Sequence, residues 1–374
     1  MNKITLAPLP SFHHIIKSYF IRNIDLDEVS KPWLVRESDI SYWFSRSTIS
    51  MLLIIQWYQK LTGIKNPVIW LPEYFCNEPV QFLKKYGYQF IFYKINDSLF
   101  PDWSICKSMS LKQKPDIFFL VHYFGKCNEA RLARKFCNDS KCILVEDAAH
   151  VMKPFSEIGQ YGDFTFYSQH KLFAIPDGSL LVQSINSKVL KNLSDKDPVS
   201  TFREIYMALP KTSPGSTKWL LKRIAQKLLP DSIWLNKKKV NQSKSLTISY
   251  KPLQSFLGKQ LFYSELKNID DYILKRKKND MDINKSYKIF NDLSDHDYIP
   301  YMAMLNIYNQ EDVNKYYFLK GSPFMKWPDL PEEIDLTTDI NSKAKFFKNN
   351  HLFVPIHQSI NTNAIKRMKK LLDI

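Results

Sequence analysis

VEDAAHVMKPFSEIGQYGDFTFYSQHKLFAIPDGS, residues Val145 to Ser179, is the stretch on which the reading of this chain turns. The apolar run Cys142–Val145 that feeds it has the character of a strand buried on both faces of a parallel sheet, and it stops in an acidic pair, Glu146 and Asp147, followed by Ala148, Ala149 and His150. Polar residues at such a strand end point at a site. Further on, Phe164 to Tyr167 reads as another strand that runs into Ser168, Gln169, His170 and Lys171, and Pro176-Asp177-Gly178 turns the chain into a return strand, Ser179 to Val182.

Upstream, the pattern alternates. Val68–Leu71 reads as a strand, Phe75–Tyr86 as a helix, Tyr88–Tyr93 and Asp116–Val121 as strands, and Ala130–Cys137 as a helix leading to Lys141–Val145. Short apolar strands separated by helices predict an α/β fold with a mostly parallel sheet covered on both faces, whose ligands bind at the carboxyl ends of the strands. Ser41–Phe44 reads as a short lead into a helix over Thr48–Leu61, with Ser45, Ser47 and Thr48 as capping residues. Backbone amides at that helix start suit an anion such as phosphate, and an ordinary N-cap is the plain alternative. Thr48, Tyr74, His122, Asp147 and Lys171 all fall at strand ends or at this helix start.

A carboxylate after one strand and a lysine after the next are what a pyridoxal phosphate site requires. The aldehyde needs an amine, and the ring nitrogen needs an anion to keep it protonated. Asp147 and Lys171 are the pair in question, and a satisfied strand end beside a solvated loop lysine is the competing reading.

The motifs narrow the choice. EDAAH followed by G-x-Y-G-D-F, an aromatic strand, a lysine and D-G resembles the DegT/DnrJ/StrS family of pyridoxal-phosphate-dependent sugar aminotransferases. FSRSTISMLL from Phe44, VIWLPEYF from Val68, VHYFG from Val121 and VPIHQSI from Val354 resemble further motifs of that family in the same order. The resemblance implies fold type I: a large cofactor domain, expected over 1–185, then linker helices and a smaller C-terminal α/β domain over 186–374. It implies pyridoxal 5'-phosphate held by Lys171, with Asp147 on the ring nitrogen, His150 on the ring hydroxyl, Ala149 beside it, Tyr74 stacked on it, and Ser47, Thr48 and Ser168 on the phosphate. It also implies transfer of an amino group from an amino acid, expected to be glutamate, to a keto sugar, nucleotide-linked, in surface polysaccharide or lipopolysaccharide synthesis, by a homodimer with sites at its interface.

The chain departs from the pattern in places. Ser47 stands where the family has glycine, with Arg46 before it, and the family's N-Y-R segment is not found. An ungapped match of F-S-F-Y-x-x-K puts His170 on the lysine position and Lys171 one residue late. A shift of one residue in the loop restores Lys171, and we adopt it because an adjacent unexplained lysine would be a coincidence. Alternatively His170 is the base, as in the related sugar 3-dehydratases, or the chain is a degenerate homologue that binds without turnover.

After Val182, Lys188–Lys239 reads as helical and basic, interrupted by Pro210 and Pro214, and Asn236–Tyr250 as a loop or inserted strand pair. Asp282–Leu293 and Tyr298–Leu319 carry amphipathic helical spacing, Phe324–Leu330 and Phe353–Ile356 read as strands, and Asn361–Leu372 as a closing helix.

With 374 residues and 44% hydrophobic residues, the chain can bury a large core. No apolar run is long enough to span a membrane and the N-terminus lacks a signal-peptide core, so a cytoplasmic protein without stable membrane insertion is expected. Cys76, Cys106, Cys127, Cys137 and Cys142 show no C-x-x-C pairing, which argues against zinc or a disulfide framework, and His13 and His14 read as ordinary surface or core histidines, so no metal is expected. The net charge of +16 is spread over clusters at Lys237–Lys239, Lys275–Lys278 and Lys366–Lys370. Solvated faces or attraction of a phosphorylated substrate explain it better than nucleic acid, for which no motif is present.

Overall fold

The structure, a computed structural model, describes residues 3–184, 189, 193–235, 251–284, 298–307, 310–339 and 342–372. The apolar runs form a seven-stranded sheet of β1 (Ile40–Phe44), β2 (Ile69–Pro72), β3 (Phe90–Tyr93), β4 (Ile117–Val121), β5 (Ile143–Asp147), β6 (Phe164–Tyr167) and β7 (Ser179–Gln183), in the order β1-β7-β6-β5-β4-β2-β3. Only β7 is antiparallel to its neighbours; β6, β5, β4, β2 and β3 pair in parallel. Every residue of β2, β4, β5, β6 and β7 is buried, as helices on both faces require. The α/β expectation is met.

Two local expectations fail at β1. Ser41–Phe44 is part of a strand rather than a lead into a helix, because its aromatic side chains pair it with β7 at the sheet edge. The helix Ser47–Thr62 then starts on Arg46, which is extended and makes no side-chain cap, while the Ser45 hydroxyl donates instead to the Lys251 carbonyl at 2.7 Å.

A smaller sheet pairs β8 (Met302–Asn306) with β9 (His351–Pro355) in antiparallel fashion. The helix expected over Tyr298–Leu319 is therefore a strand at its start, since Ala303 and Leu305 bury against β9, and it becomes helical only over Gln310–Phe318. Phe324–Leu330 is not a strand; Met325 makes a single bridge to Phe353. The closing helix, Thr362–Leu371, starts on Asn361, whose side chain accepts from Ala364 N. The basic middle segment forms helices Pro198–Met207, Thr217–Leu228 and Ser232–Leu235. The boundary at 185/186, the cluster Lys237–Lys239, the whole of the loop expected over Asn236–Tyr250 and residues 285–293 of the helix expected over Asp282–Leu293 lie outside the described residues. All five cysteines are free thiols. Among the described residues, no helix is long and apolar enough to cross a membrane.

The N-terminal strand of chain joins the small unit. Ile4 shares its core with Leu305, Leu352, Val354 and Met368, and His357 Nε2 donates to the Thr5 carbonyl at 2.8 Å. After β4 the Ile299 carbonyl comes against Gly125, whose φ of +86° and lack of a Cβ allow the approach: a Cβ there would sit 1.9 Å from that oxygen.

His357 makes the fold acid-sensitive. Burial pushes its pKa down to about 3 from an ordinary 6.5. The unfolded chain binds that proton first, so stability is full above pH 6.5 and falls as the pH drops towards 3, by up to about 1.4 kcal/mol per pH unit. Thermal unfolding should show a shallower loss of Tm below pH 6.5 for His357→Asn than for the natural chain, and parallel curves would contradict this origin. Gly125→Ala should lower stability by about 2 kcal/mol or more, read from a urea midpoint.

Candidate active site

Strand geometry divides the acidic pair. Successive side chains of β5 point to opposite faces, so Glu146 and Asp147 diverge. Glu146 is fully buried and accepts from His122 Nε2 at 2.8 Å, Gly159 N at 2.7 Å, Tyr161 N at 3.1 Å and Gly162 N. His122 in turn accepts Asn128 N on Nδ1 at 3.0 Å. It fills the strand end and serves Glu146. Asp147 is the other member: its Oδ1 accepts Ala149 N at 2.9 Å, burial raises its pKa, and the charge of Lys171 pulls it back down.

Lys171 sits on the short helix Gln169–Leu172 directly after β6, the parallel neighbour of β5. Its Nζ lies 3.3 Å from His150 Nε2. The His150 ring stacks on Tyr301 at 4.4 Å and 9°, is flanked by Phe124 at 5.7 Å, and accepts Phe124 N on Nδ1 at 3.4 Å. Burial and the Lys171 charge hold its pKa well below that of an ordinary imidazole. His150 is therefore a neutral ring beside the amine.

His170 makes different contacts. Its Nδ1 donates to the Gly178 carbonyl at 3.1 Å, and burial, with the Arg46 charge, depresses its pKa. Arg46 Nη1 donates to the carbonyls of Pro176 at 3.2 Å and Ser45 at 3.3 Å. The start of the helix Ser47–Thr62 thus lies against the Pro176–Gly178 turn that follows Lys171, where Gly178 N also donates to the Ser45 carbonyl at 2.9 Å. Tyr74, the ring expected against the cofactor, is fully buried and stacks on Trp327 at 4.2 Å and 28°, with Tyr123 and Phe347 around it. The strand-end residue that feels the site is Cys76, whose thiol is pushed up to about 12 by burial while the Lys171 charge opposes the shift.

Buried polar atoms without partners test whether a phosphorylated pyridine ring suits this place. Ser168 Oγ and both side-chain amide atoms of Gln169 are buried and unsatisfied, at a cost of about 1–3 kcal/mol each. They lie on the turn that presents Lys171, and the start of the helix Ser47–Thr62 separately leaves the Ser47 and Thr48 amides without intrahelical acceptors. With a buried carboxylate for a ring nitrogen and an amine for an aldehyde, this donor set fits pyridoxal phosphate.

Arg276 was hidden in the sequence by the lysines around it. It is 1% exposed, whereas Lys275 and Lys278 are exposed, and it donates to the carbonyls of Leu172 at 3.0 Å, Tyr301 at 3.1 Å and Pro300 at 3.4 Å and to Gln358 Oε1 at 3.1 Å. Gln358 Nε2 donates to the same Leu172 carbonyl at 2.9 Å. The residue next to Lys171 is clamped from the small unit. The one available signal was an arginine among lysines, since its planar fork suits several carbonyls at once.

No family model matches the chain, and no curated protein does. Solved structures match along its length. PseC of Helicobacter pylori, an aminotransferase involved in the biosynthesis of pseudoaminic acid, is 12% identical with a TM-score of 0.66, covering 99% of this chain and 98% of its own. NtdA of Bacillus subtilis, with bound cofactor PMP, is 15% identical with a TM-score of 0.67, covering 100% and 85%. A DegT/DnrJ/EryC1/StrS aminotransferase of Brucella abortus is 11% identical with a TM-score of 0.63, covering 98% and 91%. At such identities the likeness establishes architecture, and the architecture is the fold type I aminotransferase fold.

Proposed function

We propose that this protein is a pyridoxal-phosphate-dependent aminotransferase that moves an amino group from an amino acid, glutamate by family expectation, to a keto sugar. The carrying observation is that Asp147 and Lys171 stand at the ends of adjacent parallel strands and act on each other electrostatically. The solved aminotransferases of the same fold support the reaction class. A nucleotide-linked sugar, a role in surface polysaccharide or lipopolysaccharide synthesis, a homodimer, a cytoplasmic location and a division near 185/186 complete the proposal. Bound pyridoxal phosphate supplies an electron sink for charge developing beside the amino carbon.

The chain's own groups would do the rest. Asp147, oriented by Ala149 N, would hold the ring nitrogen, and Lys171 the aldehyde, with Ala149 and His150 beside them. Ser47, Thr48 and Ser168 would take the phosphate, with Gln169 and Arg46 beside them. Lys171 Nζ, once free, is the group placed to accept and return a proton. His150 stays neutral next to it, so it orients the amine without adding a second cation. The reading with His170 as base has less support, because that ring is engaged by Gly178 and Lys171 rather than His170 is the cation that acts on Asp147.

Borohydride reduction of the pyridoxal-phosphate-loaded protein should leave a cofactor adduct on the peptide carrying Lys171, and Lys171→Ala should abolish it and lower kcat by roughly 10²- to 10⁴-fold. Cofactor that dialyses away, with no adduct, would point to His170 instead. Arg276→Lys keeps the charge and loses the fork. It should cost about 1–3 kcal/mol in urea unfolding and reduce the yield of the Lys171 adduct, and an unchanged yield would remove Arg276 from the positioning of the amine.

A further inference from the structure

Helix Phe12–Phe20 shows its apolar side to water. Ile16, Tyr19 and Phe20 are 62%, 74% and 78% exposed, and with Phe12 they fall at the spacing of one helix face. A surface helix ordinarily does the reverse. Helices Thr217–Leu228 and Phe256–Leu266 flank it: Lys227 Nζ lies 4.7 Å over the Phe12 ring, Gln260 Nε2 donates to the Ile21 carbonyl at 2.8 Å, and Tyr19, Leu220 and Phe256 line one groove between them. Leu221 and Phe256 add exposed apolar area on the flanks.

Charge on this face has one sign. Helices Phe12–Phe20 and Thr217–Leu228 contain no acidic residue, and the single acid of Phe256–Leu266, Glu265, is buried, where it accepts Ala174 N and faces His14. Against it stand Lys17, Arg22, Lys218, Lys222, Lys227 and Lys259. Lys267, which follows the end of Phe256–Leu266, adds one more cation to this set.

We propose that this face docks on an anionic lipid surface, with Ile16, Tyr19 and Phe20 dipping into the interface and the lysines meeting the headgroups. Exposed apolar and aromatic side chains rimmed by cations are what such a surface retains, and neither feature requires a spanning helix. A second copy of the chain fits less well, since it would set cation against cation. This inference is independent of the enzyme assignment.

The test is co-sedimentation of the full-length protein with vesicles of mixed phosphatidylglycerol and phosphatidylcholine. The protein should pellet with these vesicles, stay in solution with pure phosphatidylcholine, and be released as salt shortens the screening length. Ile16→Glu with Phe20→Glu should lower the bound fraction roughly tenfold or more while circular dichroism is unchanged, and Lys17→Glu with Lys267→Glu should lower it as well. The proposal is overturned if the protein ignores anionic vesicles, if the variants bind as before, or if sedimentation velocity shows that the variants merely split a dimer while vesicle binding persists.

Discussion

A carboxylate sealed from water holds the middle of this molecule together. Glu146 could not be buried as an anion without donors, since an unpaired charge in such a place costs several kcal/mol, and the chain supplies His122 and the three amides of the 159–162 turn. Gly162 must lack a side chain because a Cβ would meet Glu146 at 3.1 Å and the Phe164 carbonyl at 2.6 Å. That turn delivers the chain into β6 in register with β5. The placement of Lys171 after the strand next to that of Asp147 therefore follows from a residue that faces the other way.

Much of this was legible. Buried parallel strands announce themselves as continuous apolar runs, so β2 to β7 were placed to within a residue or two, and the polar residues at their ends picked out Asp147, His150, Ser168 and Lys171. Elements that depend on partners were not legible. β1 and β8 owe their strand form to pairing with distant segments, β1 with β7 and β8 with β9. Tyr74 sits at a strand end, and its stacking neighbour Trp327 comes from the far end of the sequence, which a local reading does not supply. Arg276 looked like one more solvated cation, because nothing in a single sequence tells which member of a basic run turns inward.

The two sheets are joined by polar contacts as well as by packing. Arg276 has no carboxylate partner among the described residues and spends its fork on main-chain oxygens, and burial brings its pKa down to about 10 without removing the charge under ordinary conditions. Gln358 shares the load at Leu172. Tyr301, fixed by Phe124 at its amide and by Arg276 at its carbonyl, lies flat against His150. The surroundings of the amine are thus assembled from segments far apart in the sequence, Phe124, His150, Arg276, Tyr301 and Gln358 among them.

That assembly has a temporal side. The donors that grip the Leu172 carbonyl lie 104 and 186 positions after it. A ribosome would have to release most of the C-terminal half before the Leu172 carbonyl, one residue after Lys171, could meet both of its donors.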